Sequence, residues 1–269
     1  MRIGNRDFPV QGRTHVMGIL NVTPDSFSDG GKWNRLDDAL RHAEEMVRAG
    51  ADILDIGGES TRPGYARIPD QEEIDRVVPV IEAVKARLDV PLSLDTYKSK
   101  VAAAGIAAGA DLINDIWGLK ADPAMADVIG TSGLPCVLMH NRAQPDYADY
   151  LPDLVSDLRG TLALADAAGI ARTRVILDPG VGFGKTYEQN LTIIRRLDVL
   201  KELGCPVLLG TSRKSVIGLT LDLPADQRLE GTLVTTVFAV LHGCMFVRVH
   251  DVKENVRAVR MAEAVLRGG

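Results

Sequence analysis

Asp95 and Asp178 each stand directly behind an apolar run, at residues 91–94 and 175–177. An ionised carboxylate at the end of a buried strand is costly unless N–H donors meet it. A flat ring with adjacent N–H groups, of the pterin or guanine kind, can give one carboxylate two such donors. Asn114 follows the apolar pair 112–113 and can donate to and accept from the same ring. Arg248 is a planar cation suited to stacking on it, and Lys214 and Arg248 can partly neutralise the two carboxylates. The competing explanation is a structural salt-bridge network that binds nothing.

A second cluster favours anions. Thr61-Arg62-Pro63 follows a strand, and Gly210-Thr211-Ser212-Arg213-Lys214-Ser215 opens what reads as a helix. Backbone N–H groups at a helix start, with Ser and Lys beside them, suit phosphate or carboxylate. Asn21 and His250 stand at neighbouring strand ends, though His250 alone would read as an ordinary hydrogen-bonded histidine. Gly182-Phe183-Gly184-Lys185-Thr186 ends like a phosphate-binding P-loop, but Pro179 occupies the place of its first glycine and has no N–H to offer. The segment 178–185 is better read as a glycine-rich loop that brings Asp178 and Phe183 to a ligand. No Gly-x-Ser-x-Gly elbow is present, and His15 and His42 have no evident nucleophile beside them.

The elements that must position these groups follow a regular alternation. Eight short apolar runs, at 15–20, 53–56, 91–94, 112–113, 136–139, 175–177, 206–209 and 246–249, read as strands buried on both faces. Helical spacing separates several of them: Leu36, Ala39, Leu40, Ala43, Met46 and Val47; Ile74, Val77, Val78, Ile81, Val84 and Leu88; Leu154, Leu158, Leu162 and Ala165; Val256, Val259, Ala262 and Val265. Eight strand–helix units in 269 residues predict an α/β fold, a single-domain (β/α)8 TIM barrel over 1–269. Residues 1–12 would form a small N-terminal hairpin plug. A doubly wound open sheet shares the alternation, but eight evenly spaced units favour the closed form. Every strand would then deliver a polar group to one rim, where such barrels carry their sites: Asn21, Asp55 to Arg62, Asp95, Asn114 and Asp115, His140 and Asn141, Asp178, Ser212 to Lys214, and Arg248 with His250.

Composition narrows the classes. Lys+Arg number 31 against Asp+Glu 36, a net charge of -5, which lacks the basic balance of a nucleic-acid binder. Cys136, Cys205 and Cys244 are scattered in apolar runs, so neither a zinc site nor a disulfide framework is expected. The first ten residues lack the apolar core of a secretory signal, and the longest uncharged stretch, 231–247, is too short to span a bilayer. A cytoplasmic protein with no membrane partner is the expectation.

With these residues in hand, the chain resembles the dihydropteroate synthases of the folate pathway. The resemblance rests on 17–30 (MGILNVTPDSFSDG), 55–64 (DIGGESTRPG), 93–96 (SLDT), 113–116 (INDI), 177–185 (LDPGVGFGK), 210–215 (GTSRKS) and 248–251 (RVHD), in order from first strand to last. It implies a (β/α)8 barrel, as the alternation does. It also implies condensation of 6-hydroxymethyl-7,8-dihydropterin pyrophosphate with 4-aminobenzoate, assisted by Mg2+. By resemblance, Asp95, Asn114, Asp178 and Lys214 hold the pterin edge and Arg248 stacks on the ring. Asn21 contributes to the Mg2+–pyrophosphate site, with Arg62, His250 and Asp29. Phe27, Thr61, Pro63, Phe183, Lys214 and Ser212 shape the aminobenzoate pocket, which sulfonamides would enter. The segment 23–31, with Phe27 and Asp29, matches a mobile flap, and a homodimer through the late helices is implied. Two segments depart from the family pattern: Trp117-Gly118-Leu119 after the fourth barrel strand and His140-Asn141-Arg142 after the fifth. A methyltetrahydrofolate-binding methyltransferase domain would need no pyrophosphate site, and a non-catalytic pterin-binding paralogue no intact anion residues; Arg62, 212–215 and His250 weigh against both.

Overall fold

The computed structural model describes residues 1–23, 32–60 and 67–268. Phe27, Asp29, Thr61, Arg62 and Pro63, and with them most of the segment expected to act as a flap, lie outside the described residues. The chain opens with an antiparallel hairpin of β1 (Arg2–Ile3) and β2 (Arg6–Asp7). Among the described residues, eight parallel strands follow: β3 (His15–Asn21), β4 (Ile53–Gly57), β5 (Leu92–Asp95), β6 (Leu112–Asp115), β7 (Cys136–Met139), β8 (Val175–Asp178), β9 (Leu208–Leu209) and β10 (Phe246–Val249). Their order, β8-β7-β6-β5-β4-β3-β10-β9, leaves one gap, and a parallel bridge from Leu177 to Val207 spans it. The sheet therefore closes into the expected barrel.

The helices are α1 (Lys32–Ala49), α2 (Asp70–Arg87), α3 (Ser99–Ala108), α4 (Met125–Ser132), α5 (Tyr150–Ala167), α6 (Tyr187–Arg195), α7 (Ser215–Leu221), α8 (Leu229–His242) and α9 (Val252–Arg267). Helical periodicity marked α1, α2, α5 and α9. It missed α3 (SKVAAAGIAA) and α8 (LEGTLVTTVFAVLH) because neither contrasts an apolar with a polar face. The segment 210–214 is a turn rather than a helical start: Arg213 sits at φ 59° and Lys214 is the extended residue before Ser215. No helix among the described residues is long and apolar enough to cross a membrane.

Strand side chains alternate in direction, so one barrel carries two cores. Outward residues such as Leu20, Leu54, Leu94 and Leu177 pack under the helices. Inward residues Met17, Ile53, Leu112, Val137, Ile176, Leu208 and Phe246 fill the barrel floor, joined by Ile3 and Phe8 of the opening segment. The Phe8 ring lies 5.5 Å from Phe246 and 5.0 Å from His15, so this segment does plug the barrel. Phe8→Ala should open a cavity there and cost about 3–5 kcal/mol of unfolding free energy. Activity per folded molecule should stay unchanged, because the plug fills the opposite end from the strand C-termini. Denaturant melts with activity assays on the folded fraction check both.

Candidate active site

Two residues beyond four of the floor residues, the same alternation points inward again with polar groups. Ile53 is followed by Asp55, Leu112 by Asn114, Ile176 by Asp178, and Phe246 by Arg248. One step further come Asn21, Ser212 and His250. All of these polar residues except the fully buried Asp55 line a cavity of about 450 Å3 at the C-terminal mouth, together with Asp95, Met139, Phe183 and Lys214. The structure thus brings together Asn21, Asp95, Asn114, Asp178, Phe183, Ser212, Lys214, Arg248 and His250.

Arg248 organises the centre. Its Nε donates to Asp55 Oδ2 at 2.5 Å and its Nη2 to Asp95 Oδ2 at 2.6 Å. Asp55, fully buried, also accepts from Ser93 Oγ at 2.5 Å and Asn114 Nδ2 at 3.2 Å. This commits one amide hydrogen of Asn114 to the protein and leaves its carbonyl oxygen without a hydrogen bond among the described residues. Asp95 Oδ1 is buried with no hydrogen-bond partner among the described residues. Burial pushes the Asp95 carboxyl up to about 7, against the pull of Arg248 and with the charge of Asp55 adding to the rise. The two carboxylates hold the Arg248 guanidinium above its usual range despite burial. The salt-bridge network read from the sequence is therefore present in part, as the Arg248–Asp95 pair with Asp55 added, and it leaves Asp95 Oδ1 a buried orphan acceptor.

Asp178 is 5% exposed and accepts the Gly180 N–H at Oδ1, 2.7 Å. Its other oxygen faces Gly210, where a Cβ would lie 3.7 Å away, and has no hydrogen bond among the described residues. Burial raises its carboxyl pKa, with Lys214 opposing. Lys214 does not pair with it directly: Nζ donates to Val181 O at 2.5 Å and sits 4.7 Å from the Phe183 ring centroid. Burial pulls that ammonium down to about 8. Ser212 Oγ accepts the His250 N–H at 3.1 Å and lies 3.0 Å from His250 Nδ1. The hydroxyl thereby fixes the imidazole at the mouth.

Strand β7 corrects one expectation. His140 does not reach the cavity; it is fully buried, with Nε2 3.0 Å from Asp157, and Asn141 donates to Ile116 O at 3.2 Å. Met139, in register with the inward residues, lines the cavity instead. The Trp117–Leu119 departure is a turn closed on Asp115, which accepts the N–H groups of Trp117 and Leu119 at 2.8 and 2.7 Å.

No group of three or more His, Cys, Asp or Glu side chains among the described residues could hold a metal by itself. Asn21 offers a neutral amide at the mouth without a hydrogen bond among the described residues. That donor set fits Mg2+, which keeps water and phosphate oxygens and takes few ligands from protein.

The model of the pterin binding enzyme family matches residues 17–250. A dihydropteroate synthase of Clostridium beijerinckii is 55% identical, with 99% of this chain and 100% of that protein covered. A Clostridium difficile dihydropteroate synthase, solved in the presence of pteroic acid, superposes with a TM-score of 0.94 at 49% identity, covering 97% of this chain and 99% of that one. The Xanthomonas albilineans enzyme, solved with 4-aminobenzoic acid, gives 0.91 at 44% identity, covering 94% and 93%. The chain belongs to the dihydropteroate synthase family.

Within that family frame, sequence reasoning missed the hub of the site. Asp55 was placed only among polar residues at a strand end, yet Arg248, Ser93 and Asn114 all converge on it. The available signal was a carboxylate inside an apolar strand, two residues beyond Ile53.

The Asp95 carboxyl has a pH signature. The unfolded chain loses that proton near pH 4 and the folded protein near 7. Between those values the folded state binds more protons, so this group makes stability fall as pH rises from about 4 to 7, and the fall levels off above. Asp95→Asn should flatten that decline, with Asp115 and Asp178 supplying what remains. Unfolding free energies at pH 5 and 7.5 test it; an unchanged slope would contradict the assignment.

Proposed function

We propose that this site condenses 6-hydroxymethyl-7,8-dihydropterin pyrophosphate with 4-aminobenzoate to give 7,8-dihydropteroate and pyrophosphate. One observation carries the reading: two buried carboxylates that line the cavity, Asp95 and Asp178, each keep an oxygen without a partner among the described residues. A ring edge rich in N–H groups supplies what they lack. Asn114 adds its carbonyl oxygen. Arg248, held edge-on by Asp55 and Asp95, keeps a guanidinium face for the ring.

The chemistry follows from charge. The methylene C–O bond breaks, and pyrophosphate leaves with the electron pair. A carbocation-like methylene conjugated to the dihydropterin remains, and Asp95 and Asp178 stabilise the cationic ring. Asn21 and His250 stand at the cavity on the side proposed for the departing anion; Arg62 and Asp29, outside the described residues, join them by resemblance to the family. Mg2+, bound with pyrophosphate at Asn21, would add a positive charge to that anion. The arylamine lone pair then forms the C–N bond and the nitrogen releases a proton. An arylamine is a poor base and needs no strong general base to react. Phe183 and Ser212 wall the side proposed for aminobenzoate, and Lys214 lies between it and the pterin; Phe27, Thr61 and Pro63, outside the described residues, are assigned to the same side by resemblance. Sulfonamides, which resemble aminobenzoate, would compete there.

The assembly we favour is a homodimer. Leu219 and Leu221 of α7, Val234 and Leu241 of α8, and Met261, Val265 and Leu266 of α9 are large apolar side chains left exposed. A second copy of the same face would cover them.

Product chromatography with both substrates and Mg2+ tests the activity; no dihydropteroate would end the reading. Asp178→Asn tests the pterin edge. It puts a donor where the ring donates, and a charge-assisted hydrogen bond contributes roughly 1.5–3 kcal/mol, more when buried partners are stranded. Pterin affinity should fall on the order of 100- to 1,000-fold. A large fall in melting temperature with near-normal pterin affinity would return Asp178 to a purely structural role.

A further inference from the structure

Lys185, the lysine of the rejected P-loop, has no part in the chemistry above, yet its ammonium is buried beside the site. It comes from the loop that follows β8 and carries Phe183 into the cavity. Phe183 lies between Gly182 at φ 86° and Gly184 at φ 53°; its N–H donates to Gly180 O at 3.1 Å, and its carbonyl is the end that a side chain must hold. The loop is laid against the β7–α5 connection: a Cβ on Gly180 would run into the His140 carbonyl, and one on Gly184 into that of Arg142. Lys185 Nζ donates to Phe183 O and lies 2.9 Å from it and 2.9 Å from His140 Nδ1. His140 Nε2 meets the Asp157 carboxylate at 3.0 Å, so the ring proton belongs on Nε2 and Nδ1 is the acceptor Lys185 needs. Thr186 then caps α6 and holds the far end of the loop.

We infer that Lys185 is a positioning residue: by bonding the Phe183 carbonyl to His140 it sets the orientation of the Phe183 ring and thereby affinity for the aromatic amine, without touching either substrate. The inference rests on the reading of the Phe183 side of the cavity as the aminobenzoate pocket. The charged and titratable groups around Lys185 are Asp178 at the end of β8, Lys214 before α7, Asp157 on α5, and Arg142 and His140 after β7. Burial pulls the Lys185 ammonium down to about 7, with Asp178 opposing. The neutral amine still carries two hydrogens, one for each acceptor, so the anchor holds in either protonation state. Burial also pushes His140 down to about 3, and the Lys185 charge adds to that, which keeps Nδ1 open as an acceptor across the working range.

Lys185→Met removes both hydrogen bonds at similar volume. The expected result is a KM for aminobenzoate raised about tenfold or more, since 1.4 kcal/mol is tenfold and a net hydrogen bond contributes about 1 kcal/mol. The pterin dissociation constant and kcat should stay within about threefold, and Lys185→Arg, which keeps donors, should recover much of the loss. An unchanged KM would overturn the inference, as would a KM and a pterin affinity that weaken together with the melting temperature. If Lys185→Met does not fold, His140→Leu removes one anchor and should raise the same KM by a smaller factor; no rise would overturn the inference equally. Phe183→Ala separates this from the reading beneath it. If Phe183→Ala leaves the aminobenzoate KM unchanged, the pocket reading falls and Lys185 with it. If Phe183→Ala raises KM and Lys185→Met does not, only the Lys185 inference fails.

Discussion

One guanidinium shared by two buried carboxylates sets the terms for the whole site. Arg248 spans from β10 to Asp55 on β4 and Asp95 on β5. Two negative charges answered by one positive charge leave an excess at the bottom of the cavity, where water is scarce. The protein meets part of it with Ser93 and Asn114. The remainder stays on Asp95 Oδ1, whose carboxyl is pushed up to about 7 by burial first and by the charge of Asp55 second, against Arg248. A ligand that brings N–H donors relieves that excess, and a ligand that brings only acceptors worsens it. Selectivity for an N–H-rich ring is thus built into the charge count before a substrate arrives.

The mouth divides into a rigid half and a supported half. Asp55, Asp95, Asn114, Asp178 and Arg248 project from barrel strands whose registers are fixed by ladder hydrogen bonds. Phe183 and Lys214 come from segments between elements and need side-chain anchors. Lys214 holds the Val181 carbonyl, Tyr147 the Gly184 carbonyl, and Asn190 the Gly182 N–H. Positions on strands are suited to fix the ring whose donors must be matched. In the proposed reading the loop wall would pack the aromatic partner, and its orientation depends on those anchors.

Much of this was legible in the sequence because burial leaves a simple imprint. Strands β7 and β10 coincide with their apolar runs, and the other runs end within a residue or two of the observed strands. β9 is the shortest because only Leu208 and Leu209 pair with β10, while Val207 makes the closing bridge to Leu177. Asp95, Asn114 and Asp178 are recognisable as polar residues abutting apolar runs, and Arg248 as a cation inside one. Direction was harder to read. His140 also abuts such a run, but it stands one residue past Met139 and so falls on the other side of the alternation. Asp55 was underweighted because only the three-dimensional closure brings β10 beside β3 and so within reach of β4. Helices α3 and α8 were hidden by composition, since an alanine-rich or wholly apolar helix carries little periodic contrast.

The most direct test is a crystal structure of this protein with 7,8-dihydropteroate bound. The ring N–H groups should lie about 2.7–3.2 Å from Asp95 Oδ1 and from the outward oxygen of Asp178. Arg248 should still bridge Asp55 and Asp95. A ring bound away from those carboxylates, or one that enters only after Arg248 has left Asp95, would contradict the account.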